Sequence, residues 1–120
     1  MDCYGDGYCF RKNGWIYLLM EGNPYERGLQ HGYLTARDMA RALKTIKYYV
    51  YFTTGMDFQF FTANANRRWK SFLKKSSEFK EEIRGIVDGA QKAGISISFE
   101  ELIGWNGFMG VRNSGSGLTI

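Results

Sequence analysis

The residues able to do covalent or acid–base chemistry are few and lie near the start of the chain. There are two cysteines, Cys3 and Cys9, and one histidine, His31. A thiol with an imidazole as its base is a nucleophile-and-base pair. The competing role for either thiol is that of a small apolar packing residue, and no third group at a defensible spacing orients it. The cysteines are separated by five residues, close enough in sequence to form one small disulfide. Two cysteines and a single remote histidine fall short of a tetrahedral zinc set. No Walker loop and no Rossmann glycine pattern follows a strand, so no metal or cofactor is expected.

The most informative stretch runs from Glu21 to Gly32, reading EGNPYERGLQHG. Gly28 and Gly32 are four apart and share one helix face. Each glycine inside a helix costs about 1 kcal/mol relative to alanine, so two of them predict that another backbone comes close. His31 lies beside that bare face. It either presents a polar group at a pocket or, the preferred reading, is half-buried and ties the helix to a neighbouring loop through a backbone carbonyl. Arg27 either pairs with an acidic residue such as Glu21 or reaches a substrate carboxylate. Gly85 and Gly89 repeat the spacing further along, where packing against a sheet accounts for them. Trp105 and Asn106 either line a pocket or, for Asn106, cap a helix end before Gly107.

These residues need elements to hold them. Tyr8–Phe10 and Trp15–Met20 are rich in strand-forming types and flank Asn13-Gly14, a strong turn signal. A hairpin over 8–20 is expected, its second strand apolar enough to be buried on both faces. Asn23, Pro24 and Glu26 open a helix over about 24–52, with cap, first-turn proline and capping box in place. Further helices are predicted over about 57–73, 77–93 and 99–107, the last begun by the Ser98/Glu101 capping box. Residues 112–120 read as a flexible tail.

Composition bounds what this can be. The 120 residues carry 16 Lys+Arg against 12 Asp+Glu, a net charge of +4, with 44% hydrophobic and 17% aromatic residues and one proline. That is enough to fill a core, and too little proline for a proline-rich linker or a collagen-like chain. No apolar run reaches the ~20 residues of a membrane span. The first residues show no basic-then-apolar leader, and localisation stays open. The densest cations, Arg67, Arg68, Lys70, Lys74 and Lys75, bracket Trp69 and Phe72, a pattern able to grip phosphates and stack bases. A solvated helix face with its rings turned inward is preferred, because no nucleic-acid motif surrounds it. No nucleic-acid partner is expected.

Four segments in order carry a resemblance. They are Gly14-Trp15-Ile16-Tyr17-Leu18, the stretch Glu21–Gly32, Glu82-Ile83-Arg84-Gly85-Ile86-x-x-Gly89-Ala90, and Glu101-Leu102-Ile103-Gly104-Trp105-Asn106-Gly107. Together they resemble the N-terminal part of the self-cleaving N-terminal-nucleophile hydrolases of the penicillin acyltransferase and phospholipase B-like group. The resemblance implies an α+β chain forming one part of an α-β-β-α sandwich. It implies a precursor cut in front of a cysteine, which then serves as nucleophile with its own α-amine as base. It also implies that this chain is the α-chain, and that its partner is a β-chain carrying that cysteine. The substrate would be a small amide or acyl compound. Cys3 and Cys9 do not match the nucleophile, so no catalytic residue is carried over. Arg27, His31, Trp105 and Asn106 remain pocket candidates, and Gly28, Gly32, Gly85 and Gly89 close-packing positions. The alternatives are a stand-alone helical interaction module with a basic–aromatic face, and an inactive truncated homologue.

Overall fold

A computed structural model describes the backbone of residues 2–112, and the side chains within that span except those of residues 71, 73 and 106–112. The chain is α+β, a three-stranded antiparallel sheet followed by four helices. Strands β1 (Asp2–Tyr4), β2 (Gly7–Lys12) and β3 (Trp15–Leu19) lie in the order β1-β2-β3. The β2–β3 turn is the expected one. Asn13 (φ 53) and Gly14 (φ 79) both take positive φ, the requirement of the tight turn that matches strand twist.

Strand β1 lies outside the hairpin expected over 8–20. It is three residues long and lacks an alternating pattern, and its partner β2 supplies the pairing. A signal was present: Gly5-Asp6 is a two-residue turn with glycine first, and Gly5 has φ 57.

The register decides the fate of the cysteines. Cys3 pairs with Tyr8, and Asp2 with Cys9. Directly paired residues share a face and neighbours along a strand alternate, so the two thiols project from opposite faces. Both are free, Cys9 buried and Cys3 exposed. The small disulfide is sterically excluded by one residue of register.

The same alternation sorts the whole sheet. Gly7, Cys9 and Leu18 face inward, and Cys9 is fully buried. Trp15, Tyr17 and Leu19 project from the other face with Phe10, and Phe10 stacks on Tyr17 with ring centroids 4.8 Å apart. Trp15 is 70% exposed and Tyr17 48%. Burial of β3 on both faces is therefore not met in this chain, because β3 is an edge strand and only one sheet face meets the helices.

Helix α1 (Pro24–Thr54) starts at the Asn23/Glu26 capping box, both of whose hydrogen bonds are formed, and stops at Gly55 with φ 71. It departs from helical dihedrals at Thr35 (φ −118, ψ 16). There the Thr35 hydroxyl donates to the His31 carbonyl at 2.7 Å, a back-bond that bends helices. Helix α2 (Phe58–Lys75) follows Asp57, and α3 (Ser77–Lys92) ends before Gly94, whose φ is 87. Helix α4 (Phe99–Arg112) starts at Ser98, where both arms of the Ser98/Glu101 box are made at 3.0 Å. It runs through Gly107 rather than stopping there, so Asn106 is inside the helix and caps nothing. Of the tail expected over 112–120, Arg112 is the last residue of α4 and the rest lies outside the described residues.

The core joins α1, α2, α3 and α4 through Met39, Leu43, Ile46, Val50, Phe61, Ile83, Ile86 and Leu102, among others. On α2, Trp69 packs edge-on to Phe72 and stacks on Phe79 of α3. No helix described is long and apolar enough to cross a membrane.

Candidate functional site

The glycines build the centre of the region. An ideal Cβ on Gly28 would sit 2.2 Å from the Glu82 carbonyl oxygen, and one on Gly32 would sit 2.1 Å from that of Ile86. In return, Gly85 would meet the Tyr25 carbonyl oxygen at 2.3 Å, and Gly89 that of Leu29 at 2.2 Å. Each pair is thus the other's partner. Gly85 and Gly89 pack against α1, not against a sheet. Contacts rise in number together along both helices, so α1 and α3 run parallel. With only hydrogens between the backbones, Cα–H groups point at carbonyl oxygens, weak bonds that recur where helices touch closely.

Polar side chains frame this seam. The Tyr25 hydroxyl donates to Asp88 at 2.5 Å, and that bond raises the phenol's pKa. Arg27 donates to the Gly22 carbonyl at 2.8 Å and lies 3.5 Å from Glu78 and 3.8 Å from Glu82. The expected Glu21 is not its partner. Its charge is answered from α3, one turn apart on the adjoining helix.

Gln30 is the residue that the sequence reading passed over. It is buried, its amide oxygen accepts from the Glu21 N–H, and its NH₂ donates to the Glu21 carbonyl, both at 2.9 Å. Gly7 of β2 lies on the same side chain, where a Cβ would fall 2.8 Å from the amide oxygen. Gln30 thus fastens the chain leaving β3 and the start of β2 to α1. No spacing in the sequence marks it, since its partner Glu21 meets it only once the strand has turned back onto the helix. Arg11 adds a second tie, 2.5 Å from Asp38, which raises its pKa.

His31 is half-buried on the helix between these ties. Its ring makes no hydrogen bond to a loop among the described residues, so the carbonyl anchor expected for it is absent. Burial alone pushes its pKa down from 6.5. The sign follows directly. The unfolded chain takes up the proton more readily, so folding stability falls as pH drops below about 6.5. His31→Gln should flatten the fall in melting temperature between neutral and mildly acidic buffer. An unchanged slope would show that the ring is not desolvated.

Trp105 packs, half-buried, on the core cluster, and no described contact joins it to Arg27 or His31. The side chain of Asn106 lies outside the described residues. Among the described residues, Arg27, His31 and Trp105 are therefore not brought together as one site. A cavity of about 780 Å³ opens elsewhere, between the starts of α2 and α4. Lys47, Asp57, Phe58, Asn66 and Glu101 are among its walls, and Lys47 lies 3.0 Å from Glu101. Burial raises the Glu101 pKa, but hydrogen bonds from Ser98 and Lys47 outweigh it and leave the carboxyl below its ordinary range. Of its walls, Asp57, Ser98 and Glu101 are capping groups already engaged with their own helices. Among the described residues no three His, Cys, Asp or Glu side chains are placed to hold a metal ion.

No family model matches the chain. No solved structure matches it. A protein of Archaeoglobus fulgidus, described as an uncharacterized protein, is 32% identical to it across 76% of this chain. The chain spans 16% of that relative's length.

Proposed function

We propose that this chain is the α-chain portion of a self-processing N-terminal-nucleophile hydrolase or acyltransferase of the penicillin acyltransferase and phospholipase B-like group, acting on amide or ester bonds. The observation that carries the proposal is the two-faced sheet. One face lies on α1, and the other shows Phe10, Trp15, Tyr17 and Leu19 to solvent. A helix layer and a sheet layer are present, and a second sheet packed on the aromatic face completes an α-β-β-α stack. Strand β3 also leaves an unpaired edge, which a further strand can extend. The ordered motif segments support the same reading. So does the much greater length of the archaeal relative.

In this reading the nucleophile is the first residue of a downstream β-chain, released by cleavage of a common precursor. Its thiol attacks the acyl carbon, and its α-amine takes up the thiol proton and then delivers it to the leaving group. The present chain supplies scaffold and one wall. Arg27 acts through position, since it is held by Glu78 and Glu82, and His31 acts through packing, half-buried on α1. The isolated chain is accordingly expected to turn over no amide or thioester substrate. Turnover by the isolated chain that Cys3→Ala or Cys9→Ala abolishes would overturn the proposal.

A further inference from the structure

Helix α1 is 31 residues long and α3 is 16, about 46 Å against 24 Å at 1.5 Å per residue. The part of α1 from Arg37 onward therefore overhangs its parallel neighbour. Its inner side is covered, with Leu43, Ile46 and Val50 buried. Its outer side carries Arg37, Arg41, Lys44, Tyr48, Tyr51 and Phe52, all exposed. At 100° per residue these six fall within an arc of about 100°, so they form one strip, cationic first and aromatic toward the helix end. Tyr48 and Tyr51 are each 63% exposed and Phe52 65%. Arg37 and Lys44 have no acidic partner among the described residues, and Arg41 has only Asp38 at 3.7 Å.

We propose that this strip is a docking surface for an anionic lipid bilayer. Three observations select that occupant. The charge along the strip is positive and largely unanswered, which complements anionic headgroups. Tyrosine and phenylalanine at a helix end suit the interface between headgroups and acyl chains, where rings bury their bodies and keep hydroxyls wet. Finally, the strip is the convex outside of one helix, and its rings pack against each other rather than lying flat. Tyr51 stands at 86° to Phe52, and Tyr48 is tilted 44° to it. Bases need open, parallel ring faces to stack on, and a protein partner's anchors need a pocket. A yielding lipid surface needs neither. The aromatic end inserts shallowly while the cations hold the headgroups.

The test is sedimentation of the full-length protein with vesicles of phosphatidylcholine, alone or mixed with phosphatidylserine. Binding is expected only to the mixed vesicles and should weaken as salt rises. Arg37→Gln, Arg41→Gln and Lys44→Gln should each weaken it about five-fold, and together about a hundred-fold. Tyr48→Ser, Tyr51→Ser and Phe52→Ser combined should weaken it about ten-fold or more. Should the combined aromatic variant fail to fold, the glutamine variants at exposed positions decide alone. The proposal fails if the protein ignores mixed vesicles, if it binds both kinds equally, or if the glutamine variants bind undiminished. It also fails if the strip variants instead abolish binding to poly-glutamate or oligo-thymidine while vesicle binding is unaffected.

Discussion

Gly32→Val should lower the melting temperature of the full-length protein by more than His31→Ala does. The two positions are adjacent on α1 but meet different surroundings. A Cβ on residue 32 would lie 2.1 Å from the Ile86 carbonyl oxygen, 2.8 Å from its carbon and 2.9 Å from the Ala90 nitrogen. These are backbone atoms of a helix, which cannot rotate away as a side-chain tip can. Valine adds two methyl groups beyond that atom. Overpacking of this kind costs about 1–3 kcal/mol, sometimes more. Valine is also a better helix former than glycine by a few tenths of a kcal/mol. The opposing terms differ several-fold, and the clash wins. His31→Ala removes a half-buried ring that makes no hydrogen bond among the described residues, so it loses packing without stranding a polar partner. Its effect should be smaller, and the proposed self-cleavage should survive it. A Gly32→Val protein that melts at a higher temperature would remove the close-approach account of the seam. Loss of cleavage in His31→Ala would place the imidazole in the reacting site.

If the proposed β-chain packs on the sheet, Tyr17→Glu should abolish that association while leaving the helices of this chain intact. Tyr17 is central on the aromatic sheet face, paired with Phe10 across the strands and stacked on it. In the proposed stack that face is buried, and each large apolar side chain buried there contributes about 1.5–3 kcal/mol. A carboxylate in its place is an unpaired charge taken out of water, which costs several kcal/mol. In this chain alone the position is 48% exposed, so the same substitution should disturb little locally. The readout is co-purification of a second chain, with circular dichroism as the check on helices. Retained association would mean that the aromatic face is not the contact.

What the sequence disclosed was what local chemistry controls. The Asn13-Gly14 turn, the capping boxes at Asn23/Glu26 and Ser98/Glu101, and the four-residue glycine spacing each act over one turn of chain. Their consequences could be read without knowing the fold. Strand β1 needed pairing information, since three residues carry no period, although Gly5-Asp6 marked its turn. Helix α4 continued through Gly107 because a glycine lowers helix propensity without forbidding it. The partners of Gly85, Gly89 and Arg27 lay on elements distant in sequence, and spacing alone names no partner. Gln30 was overlooked because an amide is read as surface unless burial is known. Its two bonds to Glu21 exist only once the strand turns back onto the helix.

The most direct measurement is the intact mass and N-terminal sequence of every chain present in the natively purified protein. The account predicts a second chain that travels with this one, begins with cysteine, and is encoded downstream in the same reading frame. Cysteine-to-alanine substitution at that position should leave a single uncut precursor. A native protein that contains no such cysteine-initiated chain would contradict the assignment.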